Sequence, residues 1–260
     1  MKKYILIIGI LLTGAVIVFS CKKNTISVAP FDVASDKALF KLNYACPYKS
    51  IGAVQIKIDD IRVSNTITYN TPFPGGGLNT GGSSNADYLS LSPGEHTVSL
   101  SVPKAGSDED SIKVYSTTVN VEASTYYTLH VTDTTTNTNS LLLTDLSSLP
   151  DSGQSKFTFV NLIPGSAIDL YFGATKVASN IGFKNSTDTF TLASASAALF
   201  AIRPAGAAAT STPLATYPTA GGTTTYSIPN QRVFTAYARG YLGLPSADTR
   251  KAQLSFLYNK

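Results

Sequence analysis

The chain of 260 residues has no tryptophan, one methionine, two cysteines and two histidines, and only 14% of its residues are charged. Its formal net charge is +4, and the sequence has no basic stripe that could neutralise a nucleic-acid backbone. With two histidines, the chain has few ways to pair a nucleophile with a general base. These scarcities argue against nucleic-acid binding and against catalysis, and we expect no cofactor.

The N-terminal segment has the layout of a secretory signal. Lys2 and Lys3 precede a mainly apolar run over residues 4–19, which is shorter than the about 20 residues that cross a bilayer. The tetrad VFSC at 18–21 resembles the lipobox of bacterial lipoproteins, in which the signal is cut before an acylated cysteine. A retained anchor helix and an ordinary secretory signal with an incidental cysteine remain as alternatives.

The lipobox resemblance implies a signal peptide over residues 1–20 and a lipid attached to Cys21. Cys46 is then a single thiol, which we expect to be a small buried hydrophobe, whereas a Cys21–Cys46 disulfide would close only a short loop. Several acyl chains on one cysteine give a stable membrane anchor. The segment therefore predicts a cell-envelope protein bound to the outer membrane through lipid, on a side that the sequence leaves open.

Apolar and polar residues alternate in many short runs beyond Cys21. Examples are VQIKI at 54–58, VSLSV at 98–102 and VNV at 119–121, and turn-forming residues separate such runs at short intervals. No window of a dozen residues has a helical stripe of apolar residues. The pattern predicts an all-β protein, with sheets packed face to face so that each covers the apolar face of the other.

Two parts of the sequence align with each other. TTVNVEASTYYTLHV at 117–131 matches TTYSIPNQRVFTAYA at 224–238 without a gap, and residues 39–65 match residues 157–180. The repeat predicts two tandem β-sandwich domains of similar build. The predicted segments are a lipidated Cys21 with a tether over 21–35, a first domain over 36–146, a linker over 147–155 and a second domain over 156–260.

The second copy carries a family resemblance in FVNLIPGSAIDLYF at 159–172, KVASNIGF at 176–183, AIRPAG at 201–206 and the preceding phrase LSSLPDSGQS at 146–155. These stretches resemble the DUF4397 domain, a family of unknown function found in exported bacterial proteins, often in tandem. The first copy matches less well, because residues 70–86 form an insertion there. The resemblance implies immunoglobulin-like β-sandwiches and an envelope location, and it supplies no functional residues.

No catalytic or metal-binding group can be assigned from the motifs. The chain has no G-x-S-x-G elbow for a serine nucleophile. His96 follows a turn, and His130 alternates with Leu129 and Val131, so we expect both histidines at the surface. The acidic stretch GSDEDS at 106–111 lacks the spacing of a calcium loop and is predicted to be a solvated loop. We therefore expect no metal and no enzymatic activity.

The insertion NTPFPGGGLNTGGSSNAD at 70–87 is the first candidate for a contact surface. It lacks the G-K-[ST] ending of a phosphate loop and is predicted to be a long flexible hairpin loop, where sandwich domains often place recognition. Tyr69 and Phe73 flank it and are candidate ligand-binding residues. Further candidates, if their rings are exposed, are Tyr44, Tyr48 and Tyr237.

Three functions remain open. The first is a non-catalytic envelope lipoprotein whose sandwiches bind a partner protein or cell-surface material, as adhesion modules do. The second is a glycan-capture accessory of an uptake system. The third is a hydrolase whose site is assembled only in three dimensions. The anchor, the tether and the repeat favour the first.

Overall fold

The computed structural model describes residues 36–47, 52–134, 136–219 and 225–260, which lie in one compact unit. These residues form strands, turns and loops and no helix, so the predicted all-β class is confirmed. None of them forms a helix long and apolar enough to cross a membrane. The strands are β1 (Ala38–Tyr44), β2 (Gln55–Ile58), β3 (Ile61–Arg62), β4 (Thr71–Phe73), β5 (Gly77–Leu78), β6 (Leu89–Leu91), β7 (Gly94–Pro103), β8 (Asp110–Val121), β9 (Tyr126–Asp133), β10 (Thr138–Thr144), β11 (Gln154–Asn161), β12 (Ile168–Phe172), β13 (Thr175–Ile181), β14 (Phe190–Ala193), β15 (Ala197–Ala198), β16 (Phe200–Pro204), β17 (Ala215–Tyr217), β18 (Tyr226–Ser227), β19 (Val233–Arg239) and β20 (Gln253–Tyr258).

Each copy is built around one larger and one smaller sheet, and the larger sheet of the second copy has four strands of its own plus β5 from the first copy. In the first copy the larger sheet has the order β10-β9-β1-β4, with β6 also beside β1, and the smaller has the order β3-β2-β7-β8. In the second copy the orders are β14-β11-β19-β20-β5 and β13-β12-β16-β17, and β15 pairs with β18. The paired sheets agree with the predicted β-sandwich architecture.

The two copies share a strand register. In the first copy β1 runs parallel to β9 with Phe40 opposite Tyr127, and in the second β11 runs parallel to β19 with Phe157 opposite Phe234. Tyr127 and Phe234 are also equivalent in the aligned sequences. Alternation along each strand then directs one set of side chains into the sandwich and the other set to the outer face.

Each sandwich encloses its own hydrophobic core. In the first copy aliphatic residues such as Leu42, Ile56 and Leu100 pack around Phe40. In the second copy the core is built largely of aromatic rings. The phenylalanines buried there are Phe157, Phe159, Phe200, Phe234 and Phe256.

A third hydrophobic cluster lies between the copies. Ala45 of the first copy packs with Val160, Leu162, Tyr237 and Leu257 of the second, and all five residues are at most 1% exposed. These side chains point away from the two sandwich cores, so the outer face of one five-stranded sheet covers the outer face of the other. We call this contact the junction.

Candidate binding site at the junction of the two copies

Two of the tyrosines that are ligand-binding candidates only if exposed are buried in the structure. Tyr44 is 1% exposed and packs in the first core, and Tyr237 is 0% exposed and lies in the junction. The condition that these two rings are exposed is therefore not met, because each lies on a sheet face that another layer covers. Tyr48 and the predicted lipid-attachment residue Cys21 lie outside the described residues.

Tyr69 and Phe73 also contact the protein itself. The Tyr69 hydroxyl accepts a hydrogen bond from Arg239 Nη1 at 2.8 Å, and the guanidinium carbon lies 5.0 Å from the ring centre. Burial raises the pKa of the Tyr69 phenol, although the charge of Arg239 opposes this shift. Phe73 is half-buried against the first core. Both rings thus help to hold the insertion in place.

The insertion docks on the second copy instead of forming the predicted free hairpin loop. Its strand β5 extends the second copy's larger sheet, with Leu78 opposite Phe256. Tyr258 N donates to the Gly76 carbonyl at 3.1 Å, and Asn79 Nδ2 donates to the Leu254 carbonyl at 2.8 Å. The expectation of a flexible loop is wrong, because β20 offers an unpaired sheet edge that the insertion fills.

The glycine run at 75–77 permits this close approach. A Cβ atom on Gly77 would lie 1.7 Å from the carbonyl oxygen of Phe256, and one on Gly76 would lie 1.7 Å from that of Ser83. Both obstacles are backbone atoms and cannot rotate away. The glycines therefore serve backbone packing rather than phosphate binding.

Lys41 lies within the junction and is fully buried. Its Nζ donates to the Tyr258 carbonyl at 2.6 Å and lies 4.1 Å from the Tyr88 ring centre. Burial lowers the pKa of Lys41 to about 8, although the negative charge of Asp145 opposes the shift. Burial also raises the pKa of Asp145, which accepts hydrogen bonds from Tyr88 and Thr128. This network connects the first copy to the last strand of the second.

His130 is buried rather than exposed, so the surface prediction for it is wrong. The second copy covers the outer face of its sheet, and the imidazole lies 5.8 Å from the Tyr237 ring, measured between centres. Its Nδ1 accepts a hydrogen bond from Asn43 Nδ2 at 3.0 Å. Burial, aided by the charge of Lys41, lowers the pKa of His130 to about 3. The ring is therefore neutral at physiological pH.

Cys46 is buried, as the sequence predicts. Its thiol donates to Asp133 Oδ2 at 2.9 Å, and the Tyr241 hydroxyl donates to the other oxygen of the same carboxylate. Asp133 belongs to the first copy and Tyr241 to the second. The carboxylate thus provides another polar contact across the junction.

His96 and the acidic loop form surface ion pairs. His96 Nδ1 lies 2.6 Å from Asp59 Oδ2, and the pKa of His96 is raised by the Ser92 carbonyl and by Asp59. In the loop, Asp108 pairs with Arg62, and Asp110 pairs with Lys57 at 2.8 Å. Across the described ranges no group of three or more metal-ligating side chains occurs.

Two open cavities lie beside the insertion. The first, which we call the leucine cleft, has a volume of about 360 Å³ and is walled by Leu214, Leu242 and Leu244 of the second copy and Asn79 of the insertion. Its walls are mainly apolar. Asn79 is the residue that the insertion contributes to the lining, and the other lining residues belong to the second copy.

The second cavity, which we call the tyrosine groove, has a volume of about 470 Å³. The second copy contributes two half-buried rings and two cations, and the insertion contributes the opposite wall. The insertion is the contact surface that the sequence predicts, whereas the groove residues of the second copy carry no sequence signal, since the two sides meet only when the insertion docks. The residues that line the groove are Leu78, Ser84, Asn85, Ala86, Tyr226, Ser227, Pro229, Arg232, Tyr258 and Lys260.

Comparisons with known proteins give one family match. A search of the curated proteins found none that matches. A family model described as "Domain of unknown function (DUF4397)" matches residues 51–166. This range covers most of the first copy, the predicted linker and β11 of the second copy, so the match includes the copy in which the sequence resemblance is weaker. The resemblance to DUF4397 that the sequence predicts is therefore confirmed over residues 51–166.

Proposed function

We propose that the protein is a non-catalytic lipoprotein of the cell envelope that binds a partner or cell-surface material through its two β-sandwiches. One observation carries the binding part of the proposal. Both cavities beside the insertion are open and have walls from both copies. The copies are joined by a buried junction, so these walls are held in a fixed arrangement that suits recognition.

The histidine contacts support a binding role over hydrolysis. In the described part of the chain, neither His96 nor His130 is hydrogen-bonded to a serine hydroxyl. His130 meets an amide and a tyrosine ring, and His96 meets a carboxylate and a backbone carbonyl. A nucleophile–base pair of the serine-hydrolase kind needs the contact that both rings lack.

The anchoring part of the proposal rests on the lipobox-like tetrad at 18–21. Acylated Cys21 would hold the sandwiches at the outer membrane through the polar tether, and the side of that membrane is left open. Cys21→Ala should move the protein from the membrane fraction to the soluble fraction, whereas the control Cys46→Ser should remain in the membrane fraction. A Cys21→Ala protein that stays in the membrane fraction would contradict the anchor.

A second candidate function is glycan capture for an uptake system. The tyrosine groove favours it, since Tyr226 and Tyr258 line an open cavity together with exposed hydroxyl and amide groups. Rings of this kind offer apolar faces to sugars, and the polar groups can bind their hydroxyls. Saturable binding of an oligosaccharide that depends on Tyr226 would support capture. If the protein binds a protein partner and no oligosaccharide, adhesion would remain the proposed function.

A further inference from the structure

The aromatic wall of the tyrosine groove is held rigidly by the second core. The Tyr226 ring stacks on Phe256 with ring centres 6.3 Å apart and an angle of 21° between the planes. Tyr217 meets the Tyr226 ring edge-on at 5.5 Å, and Tyr258 packs against Phe234 at 5.3 Å. The two groove tyrosines are therefore fixed platforms, which lose little conformational entropy when a ligand binds.

Two cationic side chains line the groove. Arg232 and Lys260 line it, and no aspartate or glutamate side chain does. Neither cation takes part in an ion pair within the described ranges, although acidic partners hold several other cations. Arg232 is exposed and close enough to Tyr226 to oppose the rise that burial causes in the pKa of that phenol. Arg232 thus lines the same groove as the Tyr226 ring and is open to an incoming anion.

The opposite wall provides neutral polar groups. Ser84 and Asn85 of the insertion and Ser227 of β18 are exposed and line the groove. The Asn85 carbonyl accepts a hydrogen bond from Gly76 N at 3.2 Å, which places this turn next to the docked strand. Side-chain amides and hydroxyls at such a wall can donate to and accept from sugar hydroxyls.

We propose that the tyrosine groove binds an acidic saccharide, with Tyr226 and Tyr258 against the sugar rings and Arg232 on a carboxylate. This inference rests on the proposed binding function and names the chemical class of its ligand. A planar guanidinium can hold a carboxylate through two parallel hydrogen bonds, and a charge-assisted contact is roughly twice as strong as a neutral one. The neutral wall then selects hydroxylated ligands over simple anions.

The test is calorimetric titration of the full-length chain in detergent with oligogalacturonate. Oligomers of glucuronate and mannuronate extend the set of acidic probes, and the methyl ester of oligogalacturonate serves as a probe with the same sugar and no charge. We expect saturable binding of at least one acidic oligomer and binding of its methyl ester about tenfold weaker or less.

Two groove variants and one control locate the site. Arg232→Gln should weaken binding of the acidic oligomer by about tenfold or more and bring it near the affinity of the methyl ester. Ser84→Ala combined with Asn85→Ala alters exposed side chains on the opposite wall and should weaken the binding of both probes. Lys113→Gln removes an exposed cation of β8 outside the groove and should change nothing. Thermal melting of each variant checks that it is folded.

The outcomes separate this inference from the proposed function. Equal binding of the acid and its methyl ester, or unchanged binding in Arg232→Gln, overturns the acidic-saccharide assignment and leaves binding itself in place. No binding of any acidic oligomer at millimolar concentration overturns the assignment as well. A Cys21→Ala protein that stays in the membrane fraction contradicts the lipid-anchored envelope role instead, whatever the groove binds.

Discussion

The two copies of the repeat agree in register and differ on the faces that meet. Asn43 and Val160 occupy equivalent positions in the strand register, as do their partners His130 and Tyr237. In the structure the first copy presents its polar members and the second its apolar or aromatic members to one junction, where His130 and Tyr237 are in ring contact. The difference teaches that the two junction faces are complementary, so the copies are not interchangeable.

The copies also differ in the segment that follows β3 in the first copy and β13 in the second. The second copy has a short turn over residues 182–187, whereas the first has the insertion, which reaches across to β20. The insertion thereby makes one unit out of two sandwiches. Variants that perturb these differences should change the free energy of unfolding by different amounts, and truncation of the aromatic core should change it most.

The aromatic second core should be more sensitive to truncation than the aliphatic first core. Phe200 is fully buried and contacts the rings of Phe157, Phe172 and Phe256, and its equivalent in the first copy is Val98. Phe200→Ala should lower the free energy of unfolding by about 3–5 kcal/mol, and Val98→Ala by about 2 kcal/mol. Urea denaturation measures both. Equal losses would contradict the greater sensitivity of the aromatic core.

The junction histidine should make stability depend on pH in the acid range. The pKa of His130 is about 3 in the folded chain and near 6.5 in the unfolded chain, so between these values the unfolded state binds the extra proton. Stability should therefore fall by about 1.4 kcal/mol for each pH unit below 6.5, and His130→Gln should remove this contribution. Denaturation curves at several pH values measure the slope.

His96 provides a control for which stability should change with pH in the opposite direction. Its folded pKa is raised by the Ser92 carbonyl and Asp59, so it stabilises the fold below pH 6.5 and loses this effect as pH rises through the raised value. His96→Gln should therefore lose stability at low pH, where His130→Gln gains it. A shared direction of change would contradict the burial of His130.

Docking of the insertion should depend on Gly77. In Gly77→Ala the new methyl group would meet the Phe256 carbonyl at 1.7 Å, so β5 must leave β20. The loss of the strand hydrogen bonds and of Leu78 packing should cost about 2–3 kcal/mol. Hydrogen exchange at the Tyr258 amide reports the undocking, because that amide donates to Gly76. Gly52→Ala is the matched control, since a Cβ there meets nothing within 4 Å.

The smallest effect concerns one hydroxyl at the junction. Tyr69→Phe removes the acceptor for Arg239 Nη1 and should cost about 1–2 kcal/mol, because the partner is charged. Tyr126→Phe is the control, since the Tyr126 hydroxyl makes no hydrogen bond within the described ranges. Thermal melting measures both variants, and indistinguishable melting temperatures would contradict a stabilising role for the Arg239 contact.

The sequence predicted the fold class and the sheet architecture well because these follow from alternation and repeats. In strands such as 54–58 and 98–102 apolar residues recur at every second position, and this pattern is visible in the local sequence. The burial of Cys46 was also predictable from its residue type. The candidate site was not predictable in the same way. Tyr44 and Tyr237 are buried, Tyr69 contacts Arg239, and the groove residues come from distant parts of the chain.

By itself, the sequence determined the all-β class, the presence of a repeat and the resemblance to DUF4397. The spacing of apolar residues suffices for the all-β class, the internal alignment shows the repeat, and particular sequence stretches carry the resemblance. Only the tertiary structure decided that the outer faces of the two larger sheets are covered, that His130 and Lys41 are buried, and that the insertion fills the edge of β20. The physical reason is that alternation assigns each side chain to a sheet face but says nothing about which second layer will cover that face.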